Sequence, residues 1–92
     1  MASKYLHISF IFRDRLIIDE LEDIFEQAKD WIRYSENCWI VYTSVNPQKW
    51  FDRIREIVSE KDSVLILEIN PVGRKGRMSK VVWNWFRKER VS

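Results

Sequence analysis

Glycine and proline are scarce in this chain, two of each among 92 residues. That leaves no room for a flexible linker or a low-complexity tract. A single domain over residues 1–92 is therefore expected, with a core over 4–70 and a basic loop and helix over 71–92. One cysteine, Cys38, excludes an internal disulfide and reads as a small buried hydrophobe. One histidine, His7, with no Cys, His or second carboxylate at ligand spacing, gives no zinc pattern, so no cofactor is expected. No apolar run approaches the roughly 20 residues that span a bilayer, so no membrane partner is expected. The opening residues, MASKYLHISF, lack a secretory signal's apolar stretch and cleavage site, which makes a cytoplasmic location the expectation.

Aromatic residues, by contrast, are abundant: five Trp, five Phe and three Tyr. Some of them are expected to serve a second interface, where aromatics are enriched. Hydrophobic content of 46% and charged content of 33% are values of a globular chain. The net charge is only +2, but it is unevenly spread. Residues 71–92 hold seven basic groups against Glu89 alone, a net of +6, while residues 1–70 hold nine basic and thirteen acidic groups, a net of −4. A basic end of this kind meets nucleic acid, an acidic protein surface, or the acidic half of a second copy.

The central stretch is Cys38 to Phe51. CWIVYT is β-branched and aromatic on both alternating faces, as a central strand is. Asn46 caps the helix that follows and Pro47 takes its first position. Trp50, Phe51, Ile54, Ile57 and Val58 recur at helical spacing, which predicts a helix from Pro47 to about Lys61. Before this stretch, Tyr5 to Phe12 alternates as a first strand. A helix opening near Asp19 follows, with Leu21, Ile24, Phe25 and Ala28 as its buried stripe and its acids on a solvated face. Trp31 to Ser35 reads either as a short strand or as an extension of that helix. The turn Ser35-Glu36-Asn37, with Asn suited to left-handed backbone, favours a hairpin. Val64 to Ile69 is a further strand and GRKG at 73–76 a basic loop. A last helix runs from about Ser79 to Glu89, with Met78, Val81, Val82, Trp85 and Phe86 on one face and Trp83 off that stripe.

The expected fold class is α+β: a ferredoxin-like βαββαβ sandwich with an added C-terminal helix. Its outer sheet face is expected to carry Tyr5, His7, Arg33 and one or two tryptophans, covered by the last helix or by a second subunit, which makes a homodimer the expected assembly.

Candidate chemistry is sparse. GRKG lacks the spacing and the Lys-Ser/Thr of a Walker loop. Arg74, Lys75, Arg77, Lys80, Arg87 and Lys88 are the candidates for phosphate contacts on DNA or RNA. Trp83, Tyr5 and His7 are the candidates for a partner interface. Asp14 is the one candidate catalytic or metal-binding residue, through Mg²⁺.

YLHISF, the hairpin leading into the Trp-started strand WIVYTS, the amphipathic helix and the aspartate-led DSVLILEI together resemble the small Cas2-like proteins of CRISPR spacer integration, and especially their SinR-like relatives. The likeness covers roughly residues 5 to 70. It implies a ferredoxin-like fold and dimerisation through the sheets. For some members it implies a metal-dependent nuclease with an aspartate ending the first strand. Here Ile11 holds that position, or Phe12 with a shift of one, and Asp14 follows two or three residues later. The expected function is thus a non-enzymatic dimeric binding protein engaging nucleic acid or a protein through its basic C-terminal segment. The alternatives are a Mg²⁺-dependent nuclease using Asp14, or a structural subunit or mobile-element-encoded regulator that binds a protein.

Overall fold

Strict alternation of side chains makes the first strand. The computed structural model describes residues 2–90, and in it β1 (Lys4–Ile11) buries Leu6, Ile8 and Phe10 on one face. The remaining elements are α1 (Ile18–Phe25), β2 (Asp30–Ser35), β3 (Cys38–Thr43), α2 (Pro47–Ile54), β4 (Ser63–Ile69), a 3-10 turn (Pro71–Gly73) and α3 (Lys80–Arg87). The strands form one four-stranded antiparallel sheet in the order β2-β3-β1-β4. The molecule is a small α+β domain with three α-helices among the described residues. None of those helices is long and apolar enough to cross a membrane.

Register assigns the two sheet faces. Leu6 lies opposite Val41 and Ile8 opposite Trp39, and these side chains join Leu21 and Phe25 of α1 and Trp50 and Ile54 of α2 in one core. Each of these apolar groups contributes about 1.5–3 kcal/mol on full burial. Buried indoles need partners for their N–H groups. Trp39 Nε1 donates to Glu22 at 3.2 Å, Trp50 Nε1 to Thr43 Oγ1 at 3.3 Å, and Trp31 Nε1 to Glu26 at 3.1 Å. The α1 acids therefore do more than form a solvated face, since Glu22 and Glu26 anchor indoles.

Some local expectations hold and others are corrected. Residues 30–35 form the strand of the favoured hairpin rather than a helical extension, because they pair with β3. The hairpin turn uses no left-handed Asn; among the described residues no non-glycine has positive φ. Instead the register shifts between Arg33 and Ser35, a bulge that supplies the local twist. Asn37 stitches the turn to β1, its Nδ2 donating to Phe10 O at 2.6 Å while Phe10 N donates to Asn37 O at 3.0 Å. Asn46 caps α2 by accepting from Lys49 N at 2.9 Å. The helix ends at Ile54 rather than near Lys61. Ser59 N donates to Asp62 Oδ2 and Lys61 N to Ser59 Oγ, so side chains take donors that a helix ladder would need. Arg33 lies opposite Trp39 on the helix-covered side, not on the outer face, with its guanidinium 5.5 Å from that ring.

Candidate nucleic-acid interface

The outer sheet face carries Tyr5, His7, Ser9 and Ile11 of β1, in register with Tyr42, Ile40 and Cys38 of β3 and with Ile69, Leu67, Leu65 and Ser63 of β4. Helix α3 packs over one end of it. Val82 and Trp85, three residues apart, are its buried contacts, and the Trp85 ring meets Tyr5 edge-on at 5.9 Å. So narrow a contact leaves Val81 70% exposed and Met78 40% exposed, outside the stripe expected to bury them.

The chain just after α3 locks it in place. The Arg90 guanidinium lies 4.1 Å from the Trp85 ring centroid and 5.7 and 5.5 Å from those of Tyr5 and Tyr42. Its Nη2 donates to Trp85 O at 2.7 Å and to Asp30 Oδ2 at 3.0 Å. Lys88 reaches the same carboxylate at 3.4 Å, which draws this candidate phosphate contact away from the other basic groups. Burial pushes the Asp30 carboxyl up, but the hydrogen bonds from the Trp31 backbone and Arg90, with the Lys88 charge, outweigh it and leave the group below its ordinary value.

Docking α3 in this way creates a groove on its far side. Lys80, Trp83, Asn84 and Arg87 follow one another at helical spacing on the side away from Val82 and Trp85. The loop from Val72 to Gly76 faces them. Val72, Arg74, Lys75, Gly76, Trp83 and Arg87 line an open groove of about 480 Å³ with no acidic side chain among them. Arg74 is held in place: its guanidinium sits 5.3 Å from the Phe86 ring centroid and Nη1 donates to Pro71 O at 3.1 Å. Arg87 Nη1 donates to Asn84 Oδ1 at 3.3 Å. Among the described residues, none of Arg74, Lys75, Arg77, Lys80 and Arg87 forms an ion pair. Gly76 has φ 157°, a backbone conformation that side-chain-bearing residues rarely adopt, and open space where a Cβ would stand. Glycine is there for the path of the loop rather than for room.

Three of the six basic candidates thus converge on Trp83. Lys80 shares their side of α3, Arg77 is exposed without lining the groove, and Lys88 turns to Asp30. Of the other interface candidates, Tyr5 is half-buried under Trp85 and Arg90. His7 lies on the outer face, where its Nε2 and the Tyr34 hydroxyl share a hydrogen bond. Burial lowers the His7 pKa, which keeps the ring neutral, and burial with a hydrogen bond and charge from Cys38 pushes Tyr34 up to about 12. Asp14 is exposed and lines a different cleft, with Arg15, Ile57, Ser59 and Asp62. Both Asp62 oxygens accept backbone N–H groups, from Arg13 at 2.7 Å and Ser59 at 3.3 Å. Among the described residues, no three His, Cys, Asp or Glu side chains come together to hold a metal ion.

Sequence reasoning found the cations and the odd placement of Trp83 but missed Val72 as a groove wall and the Asp30–Arg90 clamp. A GRKG loop ahead of an off-stripe Trp was the available signal for the groove. Nothing local signalled a partner for Asp30 sixty residues away. No protein-family model, curated protein or solved structure matches the chain.

Proposed function

We propose that this protein is a non-enzymatic nucleic-acid-binding module that engages phosphates through Arg74, Lys75 and Arg87, extended by Lys80 and Arg77. The observation that carries this reading is the groove where three cations without acidic partners share the lining with Trp83. In such a groove phosphate oxygens replace water on the guanidinium and ammonium groups, and counterion release supplies the binding free energy. The antiparallel order β2-β3-β1-β4, with α1 and α2 on one face, supports a ferredoxin-like architecture to which α3 is added. The likeness to Cas2-like and SinR-like proteins stays part of the proposal, supported by that strand order. The test is the anisotropy of labelled DNA and RNA against salt. Tight binding at low salt that weakens steeply as salt rises supports the reading, and no binding at any salt ends it.

A homodimer belongs to the same proposal. Ile11, Leu65 and Leu67 are 53%, 54% and 48% exposed beside the open edge of β4, on the part of the outer face that α3 leaves bare. Sedimentation of the wild type and of Leu67→Glu tests it, and a wild type that stays monomeric refutes it.

The alternative is a Mg²⁺-dependent nuclease, favoured by the single observation that Asp14 and Asp62 share a cleft at the end of β1. The donor set does not fit a resident ion, because Asp62 is committed to backbone donors and Asp14 stands alone. Oligonucleotides left intact in Mg²⁺ dismiss this alternative.

A further inference from the structure

The groove holds more than phosphate binding needs. A surface that reads only phosphates requires cations, and an indole among them adds nothing to that task. Trp83 is half-buried and lines the groove together with Arg74, Lys75 and Arg87, and Val72, on the same lining, is 82% exposed. An aromatic face flanked by cations is the arrangement that takes an unpaired base between sugar-phosphate groups. The volume of about 480 Å³ lies within the range of roughly 300–1,000 Å³ typical of sites for small organic ligands, so a nucleotide unit fits. In a duplex each base is already stacked on its neighbours and turned inward, so Trp83 and Val72 would gain nothing. An acidic peptide would likewise use the cations and leave both apolar groups unsatisfied.

We propose, building on the nucleic-acid reading above, that this groove is a single-stranded nucleic-acid site in which Trp83 stacks on one base while Arg74, Lys75 and Arg87 hold the adjoining phosphates. Arg74 is already oriented by Phe86 and Pro71, so little of its freedom is lost on binding. Lys80, one turn before Trp83 on the same side of α3, extends the track by a further phosphate. The site selects strandedness rather than sequence, since every base has a face to stack.

The test compares full-length wild type, Trp83→Ala, Trp83→Phe and Arg74→Ala on three labelled probes: oligo-dT, the same backbone with abasic sites, and a duplex of equal length. The wild type is expected to bind oligo-dT tightest. Trp83→Ala is expected to lose roughly 5- to 150-fold on oligo-dT with its salt slope unchanged and to bind the duplex as the wild type does. Trp83→Phe should keep most of the affinity. Arg74→Ala should weaken all probes and flatten the salt slope by about one. The abasic probe repeats the Trp83→Ala loss on an unaltered protein, so a misfolded variant does not decide the matter. Equal affinity of the wild type for oligo-dT and the abasic strand overturns the stacking proposal and leaves the phosphate reading standing. Binding to poly-glutamate as tight as to oligo-dT at equal salt overturns it in favour of an acidic protein partner. Failure to bind any nucleic acid overturns both.

Discussion

Arg90 stacks 4.1 Å from the centroid of the Trp85 ring, and this contact helps to hold helix α3 against the sheet. The side chain is 8% exposed, and its guanidinium bridges three aromatic rings and the Asp30 carboxylate. Its Nε is buried without a partner, which offsets part of the gain. Arg90→Ala is expected to cost about 1–3 kcal/mol in urea unfolding. Arg90→Lys should recover less than half of that, because an ammonium replaces the charge but not the planar stack. A neutral Arg90→Ala would show that α3 is held by Val82 and Trp85 alone.

The same clamp responds to acid. The Asp30 pKa is depressed below its ordinary 3.8 in the folded protein. Its contribution is therefore complete above that value and lost as pH falls through the lower, folded one. Tryptophan fluorescence followed from pH 5 downward should report α3 loosening below about pH 4 in the wild type. Asp30→Asn should lack that step and be weaker than wild type by about 1–2 kcal/mol at neutral pH. An unchanged acid profile in Asp30→Asn refutes the assignment.

On the uncovered part of the sheet, His7 Nε2 and the Tyr34 hydroxyl share a hydrogen bond. Burial lowers the His7 pKa from 6.5, so the stabilising neutral form is complete above that pH and is lost as pH falls through the lower folded value. For Tyr34 the sign reverses: its neutral form stabilises fully below the ordinary 10.0 and is lost as pH rises through about 12. A proton-resonance titration of the His7 ring with a midpoint at or above 6.5 contradicts this. Tyr34→Phe should cost about 1 kcal/mol by removing one half-buried hydrogen bond.

The two aspartates of the Asp14 cleft should behave oppositely. Asp62 accepts backbone N–H groups from Arg13 and Ser59 and so joins the end of β1 to the segment after α2. Asp62→Ala should cost about 1–3 kcal/mol, since it strands both donors. Asp14 is exposed and makes no hydrogen bond among the described residues, so Asp14→Ala should change stability by less than about 0.5 kcal/mol. Thermal unfolding of the two variants checks the pair. Loss of a Mg²⁺-dependent cleavage activity in Asp14→Ala would restore the nuclease.

Much of the framework was legible because it is local. Alternation in residues 5–11, the continuous apolar character of 38–43 and 64–69, and the Asn46-Pro47 cap each express a preference that neighbours in sequence settle among themselves. Where a side chain competed with the backbone, periodicity misled. The pattern of Ile57 and Val58 continues past Ile54 and both still pack on the core, yet Asp62 and Ser59 take up donors the helix would need.

Periodicity and composition alone specify the first, third and fourth strands, the burial of the core face and the clustering of positive charge after residue 70. Which cations stand together depends on the assembled sheet and the helix packed on it. Lys88 and Arg90 were captured by Asp30, while Arg74, Lys75 and Arg87 were left around Trp83. That division depends on how α3 is rotated on the sheet. Its rotation is set by Tyr5, Asp30 and Tyr42, residues distant in sequence whose side chains meet Trp85 and Arg90 only once the sheet has formed.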